Sequence, residues 1–129
     1  MLNKKSKGEG NLNTIIGKGT TLEGTLEVNG GVRIDGKVKG KISCNETISI
    51  GDEGVVESDL NAKIIIIGGN VQGNVFASEK VELQSKSKVT GDITTKSLVV
   101  AEGAVFHGKS NMLEKGVDNE KREFKFEFN

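Results

Sequence analysis

The feature that most limits what this chain can fold into is a short phrase written six times between residues 22 and 110: an apolar residue, a spacer, usually glycine, a polar residue, then an aliphatic. It reads Leu22-Glu23-Gly24-Thr25-Leu26, Val38-Lys39-Gly40-Lys41-Ile42, Val71-Gln72-Gly73-Asn74-Val75 and Val89-Thr90-Gly91-Asp92-Ile93. Looser copies are Val56-Glu57-Ser58-Asp59-Leu60 and Phe106-His107-Gly108-Lys109-Ser110. The six copies begin at 22, 38, 56, 71, 89 and 106, with gaps of 16, 18, 15, 18 and 17. Ile34, Ile50, either Ile66 or Ile67, Leu83 and Val100 form a second series between them, again about 16 or 17 residues apart. Two registered aliphatic sites in a repeat of that length predict a β-solenoid.

One unit holds two or three strands of a few residues with apolar and polar positions alternating, so it offers a half-buried face that cannot make a core alone. Stacking is therefore obligatory. Laid one above another at about 4.8 Å, Val38, Val56, Val71 and Val89 become an internal ladder. Gly36, Gly51, Gly68, Gly91 and Gly108 fall where corners belong and allow positive φ or close approach between coils. The run Ile64-Ile65-Ile66-Ile67 puts two side chains in and two out. No long segment keeps a 3.6-residue apolar period, and glycine interrupts every candidate helix. The expected fold is all-β: a single parallel β-helix of about six coils over residues 13–110. A polar segment precedes it at 1–12, and a tail follows at 111–129.

Composition narrows the function classes. Eighteen basic and eighteen acidic side chains balance, and there is no Trp or Tyr, so neither a basic field nor a base-stacking surface points to nucleic acid. Cys44 is the lone cysteine, which excludes an intrachain disulfide and a zinc cluster and fits a reducing cytoplasm. Without a signal peptide or a run near 18 apolar residues, the chain is expected to stay cytoplasmic.

Catalytic leads are few. Gly31-Val32-Arg33-Ile34-Asp35-Gly36-Lys37-Val38 fits a phosphate-binding loop until its last position, where Val38 replaces the hydroxyl that holds Mg²⁺. His107 is the only histidine and has no nucleophile near it in sequence, so it reads as an outward surface residue. Asp35, Asp59 and Asp92 read as turn residues, and Cys44 as a small buried hydrophobe. No cofactor and no metal are expected.

A solenoid ends in unpaired backbone and an open cross-section of core, and such edges join others unless covered. Phe106 stands at the ladder site of the last copy, where earlier copies carry Leu or Val, so a large apolar ring is expected at that end. Ile16 and Leu22 take the corresponding place at the first coil. These three are the candidate polymerisation residues. At the start of the chain, Met1 and Leu2 with Lys4, Lys5 and Lys7 form a candidate contact with an anionic membrane. Residues 112–123 read as a charged linker or short helix, and Phe124, Phe126 and Phe128 alternate with Lys125 and Glu127 as a short terminal strand that packs its Phe face on the solenoid or across its final coil.

The phrase Val89 to Ile93, the stretch Leu98-Val99-Val100-Ala101-Glu102-Gly103-Ala104-Val105, the overall length and the Met-Leu-Asn-Lys-Lys start resemble the bactofilins, bacterial polymer-forming cytoskeletal proteins. The resemblance covers about residues 13–110. It implies a right-handed parallel β-helix that assembles end to end into nonpolar filaments without nucleotide. It also implies membrane association through the N-terminal segment and a scaffold for cell-wall or shape-determining proteins. By position, Phe106 matches the family's apolar end contact, and Lys4, Lys5 and Lys7 match its membrane segment. Family tails often contain proline, whereas this chain has none. Two other readings compete: an acyltransferase of the hexapeptide-repeat kind, whose strict six-residue spacing the gaps here break, and a binding module whose tail blocks polymerisation.

Overall fold

The structure, a computed structural model, describes residues 12–113 and 123–125. All its regular elements are strands. The first coils hold β1 (Leu12–Ile16), β2 (Thr21–Val28), β3 (Gly31–Ile34), β4 (Lys37–Cys44) and β5 (Thr47–Ile50). Next come β6 (Val55–Ile67), β7 (Asn70–Gln72), β8 (Val75–Leu83), β9 (Lys88–Thr90) and β10 (Ile93–Thr95). The last are β11 (Leu98–Val100), β12 (Val105–His107), β13 (Lys109–Met112) and β14 (Glu123–Lys125). Every pairing among β1 to β13 is parallel, and the coils form a β-solenoid of about six turns.

The repeated phrase is a ladder in fact. Leu22 pairs in register with Val38, Val38 with Val56, Val56 with Val71, Val71 with Val89, and Val89 with Phe106. Four residues on, Leu26, Ile42, Leu60, Val75, Ile93 and Ser110 form a second ladder on the next face. The third face stacks Ile16, Ile34, Ile50, Ile67, Leu83 and Val100, which settles the choice between Ile66 and Ile67 in favour of Ile67. Alternation then sends Ile65 and Ile67 into the core and leaves Ile64 and Ile66 half-buried on the outside. Apart from Phe106 and Ser110 on the last rungs, each ladder carries one Val, Ile or Leu per rung, many with no exposure at all, so the core is filled almost entirely by aliphatics.

Corner length explains the uneven spacing. Between the third and first faces the chain turns in four residues at 17–20, 51–54, 84–87 and 101–104, but in two at Asp35-Gly36 and Gly68-Gly69. Each four-residue corner closes with an amide of the fourth residue donating to the first carbonyl, at 2.9 to 3.1 Å. Three of them need positive φ at their third position, supplied by Gly19, Gly103 and Lys86. Lys86, at φ 77°, is the only non-glycine residue with positive φ among the described residues.

A second set of glycines lies within the phrase itself. Gly24, Gly40, Gly73, Gly91 and Gly108 share φ between 128° and 150° where the first face bends into the second, and Ser58 replaces glycine in the third coil. Of the expected corner glycines, Gly91 and Gly108 have positive φ, while Gly36, Gly51 and Gly68 are closely approached by neighbouring coils.

Three expectations need correction. The repeat does not stop at Ser110: Thr95 pairs with Met112, so β13 completes a sixth rung of the second face, and the strands run from Leu12 to Met112. The phrase ends early because its aliphatic site there is Ser110, a polar residue that is nonetheless fully buried. Asp35 is more than a turn residue, since its carboxylate receives both Nε and Nη2 of Arg33 at 3.0 and 3.1 Å. That hydrogen bond holds the carboxyl below the usual carboxylate range. Asp59 is not a turn residue: it lies within β6, and its Oδ1 accepts from the Asn74 amide of the next coil at 3.2 Å. Cys44 lies in the core, and burial pushes its thiol up.

Candidate functional site

Catalytic chemistry finds little to stand on. The segment from Gly31 to Val38 is two strands around a tight corner, β3 and β4, and the helix a phosphate loop requires does not follow. No group of three His, Cys, Asp or Glu side chains comes together in metal-binding geometry among the described residues. His107 points outward, in register with Thr90. The outer face of the first ladder carries the column Glu23, Lys39, Glu57, Gln72, Thr90 and His107, with Lys39 and Glu57 at 3.9 Å. Such exposed pairs are worth about 1 kcal/mol at most and leave the flanks a mixed, solvated surface.

The ends are different. At the N-terminal end, β1 pairs only with β3 and β2 only with β4 among the described residues, so one edge of each parallel strand is open. Leu22, Leu26 and Val28, the first rungs of their faces, are half-buried against the core, whereas their partners Val38 and Ile42 have no exposure. The same loss of cover recurs at the other end for Leu98 and Val100. Partly buried aliphatics that pack against the core thus concentrate at the first and last coils. Ile15 on the first rung and Val99 on the last add outward apolar surface, 64% and 44% exposed, in one column of the third face.

The candidate residues fall unequally on this map. Leu22 lies at the open N-terminal edge. Ile16, 7% exposed, is its third-face counterpart and already belongs to the core. Phe106 ends the first ladder but has no exposure, so the last coil does not present its ring to solvent. Leu26, Val28, Leu98 and Val100 are not among the expected interface residues, although Leu26 and Val100 stand in the repeated series. The signal was there in the constant offset of four residues between the first two faces, which makes Leu26 an end rung as surely as Leu22.

The C-terminal end has one further element. β14 pairs antiparallel with β13, placing Phe124 opposite Ser110 and Glu123 opposite Asn111. The expected terminal strand exists, and its pairing is with the last rung of the second face. The packing of the phenylalanine side chains, and the candidate membrane residues Met1, Leu2, Lys4, Lys5 and Lys7, lie outside the described residues. No helix among the described residues is long and apolar enough to cross a membrane.

Comparison with known proteins agrees with the geometry. The family model described as "Bactofilin: Polymer-forming cytoskeletal" matches residues 14–111, the solenoid almost end to end. Bactofilin BacN of Myxococcus xanthus (strain DK1622) is 54% identical over 98 residues, 76% of this chain and 87% of its own length. Bactofilin BacO of the same organism is 40% identical over 100 residues, 78% of this chain and 79% of its own length. No solved structure gives a significant match. With a family model matched over almost the whole solenoid and two relatives named bactofilins aligned over three quarters of the chain or more, the chain belongs to the bactofilin family of polymer-forming cytoskeletal proteins.

Proposed function

We propose that this chain polymerises through its solenoid ends, like end to like end and without nucleotide, into a filament without polarity. The filament serves as a cytoplasmic scaffold for cell-shape or cell-wall proteins. Met1, Leu2, Lys4, Lys5 and Lys7 hold it to the inner face of the membrane, where many weak contacts along a polymer add up. The observation that carries the reading is the confinement of half-buried core aliphatics to two strands at the ends, Leu22, Leu26 and Val28 on β2 and Leu98 and Val100 on β11, each with a single strand partner among the described residues. Phe106 supports the C-terminal joint from within the last coil.

Magnitudes favour a joint that uses both apolar surface and backbone. Burying on the order of 200 Å² of apolar surface at ~25 cal/mol per Å² contributes roughly 5 kcal/mol. That barely meets an association cost of about 4 to 15 kcal/mol. Edge pairing supplies the remainder and fixes the orientation. Two isologous joints of different kinds, one at each end, generate an open and apolar polymer.

The test is the double substitution Leu22→Arg with Leu26→Arg. Charges at the first rungs should leave the solenoid folded by circular dichroism and stop assembly at dimers joined by their other ends. Filaments of unchanged length would remove the N-terminal end from the joint.

A further inference from the structure

Two asparagines are stacked where the second face turns into the third. Val28 pairs in register with Cys44, and the residue after each is asparagine. The Asn45 carboxamide grips the preceding coil twice: its Nδ2 donates to Asn29 Oδ1, and its Oδ1 accepts from the Gly30 amide, both at 2.8 Å. Gly30 is buried with φ 128°, a conformation that side chains rarely adopt, so the turn requires glycine after Asn29. The corner therefore holds the one Asn-Gly dipeptide of the chain. That dipeptide carries chemistry of its own. A glycine amide has no side chain to screen it, and its nitrogen can close a small ring on the carboxamide carbon of the asparagine before it.

We propose that Asn29-Gly30 is a latent deamidation site and that Asn45 holds it closed. In the open site the Gly30 nitrogen loses its proton to hydroxide and bonds to Asn29 Cγ. The Cγ–Nδ2 bond then breaks, and that nitrogen leaves as ammonia with a proton from water. A water molecule opens the resulting succinimide at either carbonyl and leaves aspartate or isoaspartate at position 29, so the net change is one water consumed and one ammonia released. The two contacts from Asn45 act on this step in opposite directions. Donation to Asn29 Oδ1 polarises the carbonyl and by itself favours attack. Acceptance from the Gly30 amide keeps the proton on the nitrogen, and it prevails because no ring bond forms until that proton is lost. Asn45 is thus a positioning residue that itself reacts with nothing. The product bears on the fold, since isoaspartate adds a methylene to the main chain between Val28, in register with Cys44, and Gly31, in register with Leu12.

The experiment incubates the folded full-length chain at mildly alkaline pH and high ionic strength, which screens the effect of added charge. Mass spectrometry follows the peptide that carries residue 29 for replacement of nitrogen by oxygen. Asn45→Ala removes both contacts, whereas Asn45→Asp keeps the acceptor for Gly30 and removes the donor to Asn29. Asn45 is exposed, so both variants should fold, as circular dichroism checks. The alanine variant should deamidate at least about fivefold faster than the wild-type chain, the factor that one lost hydrogen bond of ordinary strength corresponds to. The aspartate variant should react no faster than wild type. Hydrogen exchange at the Gly30 amide should follow the same order, fast in the alanine variant and slow in the other two. Equal deamidation in the alanine variant and wild type would overturn the proposal, as would an aspartate variant as fast as the alanine one. Should the alanine variant not fold, wild type unfolded in denaturant supplies the open-site rate: an aspartate variant near that rate overturns the proposal, and one at the folded wild-type rate bears it out.

Discussion

Gly40 lies directly beneath Gly24 in the parallel register, and a Cβ at position 40 would land on the Gly24 backbone carbonyl. Both residues have nearly the same φ, 131° and 128°, but a Cβ at Gly24 meets nothing within 4 Å because no coil among the described residues precedes it there. Alanine at Gly24 therefore bears conformational strain alone, about 1 to 2 kcal/mol, whereas Gly40→Ala adds a backbone collision and should cost about 3 kcal/mol or more. Chemical denaturation of the two variants checks the order, and equal losses would show that φ, not contact between coils, dictates the glycine row.

Ser58 interrupts that row without positive φ, and its hydroxyl is buried with no hydrogen-bond partner among the described residues. An orphaned buried hydroxyl is a cost that its removal recovers. Ser58→Ala is expected to leave stability unchanged or raise it by up to about 1 kcal/mol. A clear loss in the midpoint of denaturation would mean that the hydroxyl has a partner in solution.

Lys86 holds φ 77° at a corner position where Gly19 and Gly103 stand in the equivalent turns. A side chain in that region costs about 1 to 2 kcal/mol, offset in part by the greater freedom glycine gains in the unfolded chain. Lys86→Gly should therefore stabilise by roughly 0.5 to 1 kcal/mol. A lower melting temperature would show that the lysine side chain contributes more than its backbone strain removes.

The Arg33–Asp35 pair gives stability a small pH dependence. Because the Asp35 carboxyl is held low in the folded chain, its contribution is fully present above the ordinary carboxylate value of about 3.9 and is lost as pH falls through the lowered folded value. The pair is exposed enough that solvent limits it to less than about 1 kcal/mol. Asp35→Asn should accordingly lower stability slightly at neutral pH and reduce its decline in acid, read from denaturation curves at a series of pH values.

Much of this was legible in the sequence because a solenoid writes its core as spacing. Leu22, Val38, Val56, Val71, Val89 and Phe106 could be placed in one column from residue numbers alone, since parallel stacking turns a repeat length into a contact. The assignment of Ile67 rather than Ile66 could not, because four consecutive isoleucines carry no alternation to read. The continuation of the sixth rung through Asn111 and Met112 was hidden for a related reason: it opens on a buried serine, its Oγ 3.7 Å from Met112 Sδ, which does not look like core. Phe106 was placed correctly in its ladder, yet its complete burial is not something spacing encodes. The tail strand could be expected on the solenoid or across its final coil, but not its antiparallel pairing with β13, because alternating Phe residues announce a strand and not its partner or register.

The most direct measurement is negative-stain electron microscopy of the purified full-length chain in the absence of nucleotide and divalent metal, across a range of concentrations. Thin, unbranched filaments that shorten to dimers on dilution are the predicted result. Particles that stay monomeric or trimeric at every concentration would contradict assembly through the solenoid ends.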